Sequence, residues 1–333
     1  MNESLPETEL DVVGLGNAIV DVLAHTADAF LEEHDLTKGA MTLVEADQAE
    51  RLYGLLSDTV ECSGGSAANT MVGLASLGSR AGYVGKVRDD DLGAVFTRDI
   101  RAAGVAFDTE SARGGPATAR CLVLVGPDAQ RTMLTFLGAS ASLAPTDVDP
   151  AVIRSAKVTY LEGYLWDPPP AKEAFLKAAE LAHAADRLVA LSLSDAFCVD
   201  RHRQEFLDLV EHHVDILFAN EDELVSLYRA SDFDAAVAQL KGLCRWAALT
   251  RGPAGALVLH GDAVVEVPAE PVDAVVDTTG AGDLFAAGFL HGLTHGADAA
   301  TCARLGSIAA AEVISHFGAR PERDLERLTA ALL

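Results

Sequence analysis

Short β-rich apolar runs alternate with longer stretches of helical period along almost the whole chain, and no other feature constrains the fold as much. The spacing predicts strands over 11–16, 81–87, 158–162, 188–192, 215–219, 246–251 and 256–260. It predicts helices over 66–77, 91–103, 170–185, 201–213, 232–243, 282–291 and 298–316. Parallel strands need crossover helices between them, so this order implies an α/β fold: a doubly wound, mainly parallel sheet covered on both faces. Ligands then sit at the carboxyl ends of the strands. Two stretches break the rhythm. Residues 41–45, and the pair 105–112 and 118–125 around Gly114-Gly115-Pro116, alternate like strands with no helix between them. They are expected to form a small antiparallel β lid, from insertions near 37–47 and 105–125, on a single domain spanning 1–333. The alternative is that they are extra strands of the main sheet.

Charge and cysteine usage narrow the function. Fifty acidic residues against twenty-five basic ones give a formal charge of −25, which repels phosphate backbones, so neither nucleic acid nor an anionic membrane is an expected partner. An anionic substrate would need local cancellation of that field by a divalent cation, backbone N–H groups or placed cations. No apolar run reaches the length of a bilayer span, and the acidic amino end lacks the pattern of a signal peptide, so the cytoplasm is the expected compartment. Five cysteines without Cys-x-x-Cys spacing fit neither a disulfide framework nor a zinc site.

The most informative segment is Asp277-Thr278-Thr279-Gly280-Ala281-Gly282-Asp283, running straight into an apolar helix. Gly280, Ala281 and Gly282 are small enough to bare the N–H groups of a helix amino terminus, a site for a phosphoryl group whose oxygens gain charge. Asp283, in the first helical turn, is placed to take the proton of an attacking hydroxyl. On spacing alone, a glycine turn followed by a dipole-favoured aspartate explains the segment equally well. Cys62-Ser63-Gly64-Gly65-Ser66-Ala67-Ala68-Asn69 opens another helix; Gly64 and Gly65 allow close backbone approach, and Asn69 can bond sugar hydroxyls. Gly14-Leu15-Gly16 superficially matches a dinucleotide fingerprint, but Ile19 stands where a third glycine belongs. Asn17 and Asp21 instead suit a vicinal diol. Asn220 and Glu223 offer hard oxygens to Mg²⁺, through water, while Thr250 and Gly252 close the next strand and Arg131 is a candidate phosphate clamp. Each of these has a plain structural alternative: a cap, a turn or a solvated arginine.

Taken together and in this order, the segments resemble the ribokinase or PfkB carbohydrate kinase family over nearly the whole chain, and within it most the adenosine kinase branch. The resemblance implies a ribokinase-like fold with a small β lid and transfer of the γ-phosphoryl group of Mg·ATP to the 5′-hydroxyl of adenosine or a similar nucleoside. It implies Asp283 as the base, Gly280 to Gly282 as the anion hole, Asp21 and Asn69 as sugar ligands, Asn220 and Glu223 as the metal–phosphate pair, and Thr250 and Gly252 as nucleotide contacts. It implies an apolar base pocket from Ile19, Leu43, Leu137, Ala139, Leu165 and Phe197, and admits a monovalent cation such as K⁺ near Asp277 and a homodimer clasped through the lid. Glu162 and Trp166 depart from that branch by putting a carboxylate and an indole where it is apolar, and Ala196 replaces a proline. The rival acceptor is a free sugar such as ribose or fructose; the rival class is a non-catalytic nucleoside- or sugar-binding protein. A dinucleotide-dependent oxidoreductase is a weaker third.

Overall fold

The computed structural model describes residues 8–128 and 130–332; the acidic residues 1–7 considered above lie outside the described part. The strands in chain order are β1 (Leu10–Leu15), β2 (Ile19–His25), β3 (Met41–Leu43), β4 (Val60–Gly64), β5 (Ala81–Val84), β6 (Ala119–Val125), β7 (Arg131–Phe136), β8 (Ala156–Glu162), β9 (Leu188–Ser192), β10 (Ile216–Asn220), β11 (Trp246–Thr250), β12 (Ala256–His260) and β13 (Ala263–Val267). They form an eight-stranded sheet in the order β13-β12-β11-β10-β9-β8-β1-β5 and a five-stranded sheet in the order β3-β7-β6-β2-β4.

The larger sheet is parallel from β5 through β11 and antiparallel only at β12 and β13. Successive residues of its strands point to opposite faces, as the pleat requires. Val12, Tyr160 and Phe218 enter one core with the helices Ser66–Ser76, Ala281–Thr294 and Ala299–Val313. Val13, Leu161 and Leu217 enter the other, with the helices Pro169–His183 and Ala196–His212. From β1 the chain adds strands outward in both directions, β5 on one side and the β8 to β11 series on the other. The crevice where the winding reverses therefore opens between the carboxyl ends of β1 and β8, where ligands of such sheets bind.

The smaller sheet differs from the expected antiparallel flap. It is mixed, with β2–β6 and β3–β7 parallel, β2–β4 and β6–β7 antiparallel. Three of its strands, β2, β4 and β7, were not expected. Val20, Val22 and Ala24 alternate inward in β2, so Asp21 stands within a strand and not in a loop at a strand end. Conversely, 105–112 contributes no strand to the lid. It runs along the β5 edge of the main sheet, bonding Tyr83 and Ala81 through Ala106 and touching again at Arg88–Ala112, because Val105 and Phe107 are buried there. Only 41–43 of the stretch 41–45 is strand. The helix expected at 201–213 begins at Ala196, is capped by Asp195 and breaks at His202; the helix expected at 232–243 stops at Leu240.

Much of the acidic surplus sits at helix starts. Asp90, Asp149, Asp195, Asp232, Asp298 and Asp324 each cap a helix, the carboxylate accepting a backbone N–H of the first turn. The helices Ser66–Ser76 and Ala281–Thr294 instead begin at Gly65 (φ 98°) and Gly280 (φ 80°), left-handed positions without a side-chain cap. The second packs on Ala299–Val313 with no room to spare: a Cβ on Gly288 would lie 2.4 Å from the Leu305 carbonyl oxygen. Gly288→Ala must push two backbones apart, and it is expected to cost about 1–3 kcal/mol, read as a lower urea midpoint at unchanged m-value.

Candidate active site

Asp283 lies in the first turn of the helix Ala281–Thr294, half-buried. Its Oδ1 accepts from the Ser66 hydroxyl at 2.6 Å and its Oδ2 from the Asn69 amide nitrogen at 3.0 Å. Two glycine-started helices, more than two hundred residues apart in sequence, thus meet at one carboxylate. The Ala281 amide bonds Thr278 and the Leu284 amide bonds Gly280, leaving the amides of Gly280, Gly282 and Asp283 without an acceptor among the described residues. A Cβ on Gly282 would meet nothing within 4 Å, so the helix mouth is open beside that residue. Three amides are left free at this helix mouth, and the Ala281 amide, expected among them, bonds Thr278 instead. Gly280 is required there, because a Cβ would strike Ala319 at 2.8 Å.

Asn69 is buried, and its Oδ1 has no partner. An unpaired buried acceptor beside a carboxylate fits a hydroxyl donor from a substrate. Asp21 approaches from β2 and rests against Gly64, where a Cβ would come within 2.3 Å of its Oδ2. That explains Gly64, while Gly65 supplies the left-handed cap. Burial raises the Asp21 carboxyl to about 6, with the Asp283 charge adding and the Arg320 and Arg131 charges opposing. Burial also raises the Asp283 carboxyl; the bonds from Ser66 and Asn69 and the Arg320 charge hold it down.

Asn17 is placed otherwise than expected. Its Nδ2 donates to Glu162 Oε1 at 2.8 Å and its Oδ1 accepts from Ser140 at 2.9 Å, so both ends are spent inside the protein. Glu162, at the end of β8, also accepts the Ala67 N–H at 2.8 Å. Its carboxylate therefore spans the switch-point crevice and ties β1 to the start of the Ser66 helix, in place of facing a base pocket. Gly16 makes room for it: a Cβ there would lie 2.4 Å from Glu162 Oε2. The glycine pair that imitates a dinucleotide fingerprint serves this contact, and a strand, not a helix, follows it. Trp166 is core, stacked edge-on against Phe175 and bonded to Glu205.

The residues expected to line an apolar pocket differ widely in exposure. Leu165 and Ala139 are buried in the interior, whereas Phe197 is 78% and Leu43 55% exposed; Leu137 is half-buried beside the Asn17–Ser140 contact. Arg131 pairs with Asp277, both largely buried, and lies over the Phe317 ring. It joins the lid to the glycine segment and does not project as a free clamp. Asp277 further accepts from Gly318, and from Thr279 through both N–H and hydroxyl.

Asn220 and Thr250 stand side by side at the ends of β10 and β11, with Gly252 two residues on. Asn220 caps the helix Glu221–Tyr228 while both Glu223 oxygens accept from Asn220. Burial lifts Glu223 to about 7, and the Asp195, Asp222 and Asp283 charges add to it. No cluster of three or more His, Cys, Asp or Glu suited to a metal occurs among the described residues. With one lone pair left on each Glu223 oxygen, Asn220 and Glu223 fit a metal held through water, arriving with a phosphate ligand, better than a protein-caged ion.

Sequence reasoning passed over Ser66, Glu162 as a brace, and Arg320. Ser66 sat within a quoted motif and is the first helical residue after two glycines, a usable signal; nothing local marks Arg320. Residues 40–325 match the family model described as pfkB family carbohydrate kinase. The chain is 50% identical to an adenosine kinase from Sinorhizobium meliloti, with TM-score 0.89, covering 98% of this chain and 100% of that one. It is 48% identical to a probable sugar kinase from Rhizobium etli, with TM-score 0.90 and the same coverage. It is 26% identical to the adenosine kinase of Saccharomyces cerevisiae over 92% of this chain and 95% of the other.

Burial, opposed by the N–H groups of Ala67 and Asn17, holds the Glu162 carboxyl up at about 7. Glu162→Ala strands three buried donors, and it is expected to lower stability by about 3 kcal/mol in denaturant titration. It is also expected to weaken substrate binding more than Trp166→Phe does.

Proposed function

The chain belongs to the pfkB family of carbohydrate kinases, and we propose that its acceptor is the 5′-hydroxyl of adenosine or a similar nucleoside. The class is that of an ATP-dependent phosphotransferase with an alcohol acceptor, a nucleoside or a sugar. The observation that carries the mechanism is Asp283, bonded by Ser66 and Asn69 at the mouth of an uncapped helix, with the other end of the Asn69 amide a buried oxygen that lacks a donor among the described residues.

The acceptor hydroxyl lies against Asp283, with its ring hydroxyls on Asp21 and Asn69 Oδ1. Its oxygen attacks the γ-phosphorus of ATP, the hydroxyl proton passes to the Asp283 carboxylate, and the bond from γ-phosphorus to the bridging oxygen breaks to release ADP. Charge growing on the phosphoryl oxygens is received by the amides of Gly280, Gly282 and Asp283. Asn220 and Glu223 would hold Mg²⁺ through water, where it neutralises phosphate charge; Thr250 and Gly252 contact the nucleotide. With both Asp277 oxygens engaged by Arg131, Gly318 and Thr279, the proposal includes no monovalent cation there. Use of ATP and five free cysteines fit the cytoplasm.

A free sugar is the second reading, favoured by the exposed Phe197 and the buried Leu165, which leave the purine wall unformed. Direct measurement of ADP formation across nucleosides and sugars separates the two: preference for a nucleoside supports the proposal, preference for ribose or fructose replaces it. Absence of ADP with all acceptors would favour a binding protein.

Asp283→Asn is expected to bind ATP normally and lose at least roughly a hundredfold in turnover. Because the base must be ionised and burial raises its pKa, turnover should fall on acidification through a pKa above the ordinary carboxylate value of about 4. A pH profile flat down to that value would count against Asp283 as base.

A further inference from the structure

Arg320 belongs to none of the motifs, yet it reaches the site from the segment that follows the helix Ala299–Val313. Its Nη2 donates to the Ser63 carbonyl at 2.6 Å and the Ser63 hydroxyl at 3.0 Å. Ser63 in turn donates through its N–H and hydroxyl to Asp99 at 2.7 and 2.6 Å. On β4, Ser63 lies between Cys62, the cross-strand partner of Asp21, and Gly64, against which the Asp21 carboxylate rests. The guanidinium is thus hooked to the strand that flanks Asp21, and its Nε is buried without a partner.

We propose that Arg320 is a positioning residue which keeps Asp21 and Asp283 ionised side by side, so that one holds acceptor hydroxyls while the other takes the proton. The proposal rests on the kinase reading above. Two neighbouring carboxylates in a partly desolvated site raise each other's affinity for a proton and tend to share one. A shared proton would disable either the diol ligand or the base. Arg320 is the leading charge against burial at Asp21 and the one charge that opposes burial at Asp283.

The other groups acting on the pair do not substitute for it. Asp99 and Cys62 face Arg320 from the helix Asp91–Ala102 and from β4, Arg131 faces Asp21 from β7 but is committed to Asp277, and Glu162 and Glu223 add negative charge. Tyr160 and Tyr164 stay neutral, their hydroxyls pushed up chiefly by burial.

The test compares Arg320→Gln and Arg320→Lys with wild type in two measurements. One is the pH profile of kcat and KM; the other is substrate-free ¹³C NMR titration of the Asp21 and Asp283 carboxyls. In Arg320→Gln the acidic limb of kcat should move up by at least about one pH unit, so that the loss relative to wild type is larger at pH 6 than at pH 8.5, and at least one carboxyl should titrate correspondingly higher. Arg320→Lys keeps the charge without the fork and should keep the wild-type limb. An equal loss at every pH with unmoved carboxyl titrations means a scaffold role and overturns the proposal, as does full activity of Arg320→Gln at pH 6. Should Arg320→Gln fail to fold, Arg320→Lys decides: a limb and titration like wild type uphold the proposal, a shift of both overturns it. If wild type phosphorylates no acceptor, the kinase reading fails while the carboxyl titrations still judge Arg320.

Discussion

The Asp283 carboxylate, gripped by Ser66 and Asn69, is the contact on which the rest of the site depends. It fixes two helix amino termini against each other, and both start at left-handed glycines that provide no side-chain cap of their own; at the Ser66 helix the Ala67 N–H is taken instead by Glu162. Six other helices are closed by a capping aspartate. At the Ala281 helix the amides of Gly282 and Asp283 have no acceptor among the described residues, and they stand beside the carboxylate held by Ser66 and Asn69.

Holding that contact in place requires further buried charge. Glu162 bridges the crevice between β1 and β8 and takes the Ala67 N–H, so the Ser66 helix is pinned from below by one carboxylate and from above by another. Asp21, Glu162, Glu223 and Asp283 are all raised by burial, and each is offset by neighbours: Arg320 for Asp21 and Asp283, backbone N–H groups for Glu162 and Glu223. In a chain of charge −25, this makes the few inward cations matter beyond their number.

The sheet, the helices on its two faces and the glycine–aspartate segments were legible because each is local. Strand alternation, helical period and a run of small residues before an aspartate all show within a dozen positions. The lid was half legible: β6 follows from its alternation, but β2 was hidden by Asn17 and Asp21, whose polarity reads as loop. Residues 105–112 have the same local pattern as a lid strand and pair instead with the edge beside β5, since register and partner are set across the fold. Leu165, expected at the base pocket, and Trp166, read as a departure from the branch, are both buried, and burial of this kind is set by the packed fold.

The sequence by itself determined the fold class and the family, and singled out Asp283 beside its glycine turn, since these depend on residue types at short spacing. Tertiary structure alone decided that Asn17 is consumed by Glu162 and Ser140, that Arg131 locks onto Asp277, and that Arg320 hooks onto Ser63 beside Asp21. Each of those is a pairing of one charge or amide with a partner more than a hundred residues away. Electrostatic and hydrogen-bond partners are chosen by distance in space, and a chain order carries that distance only after the core has packed.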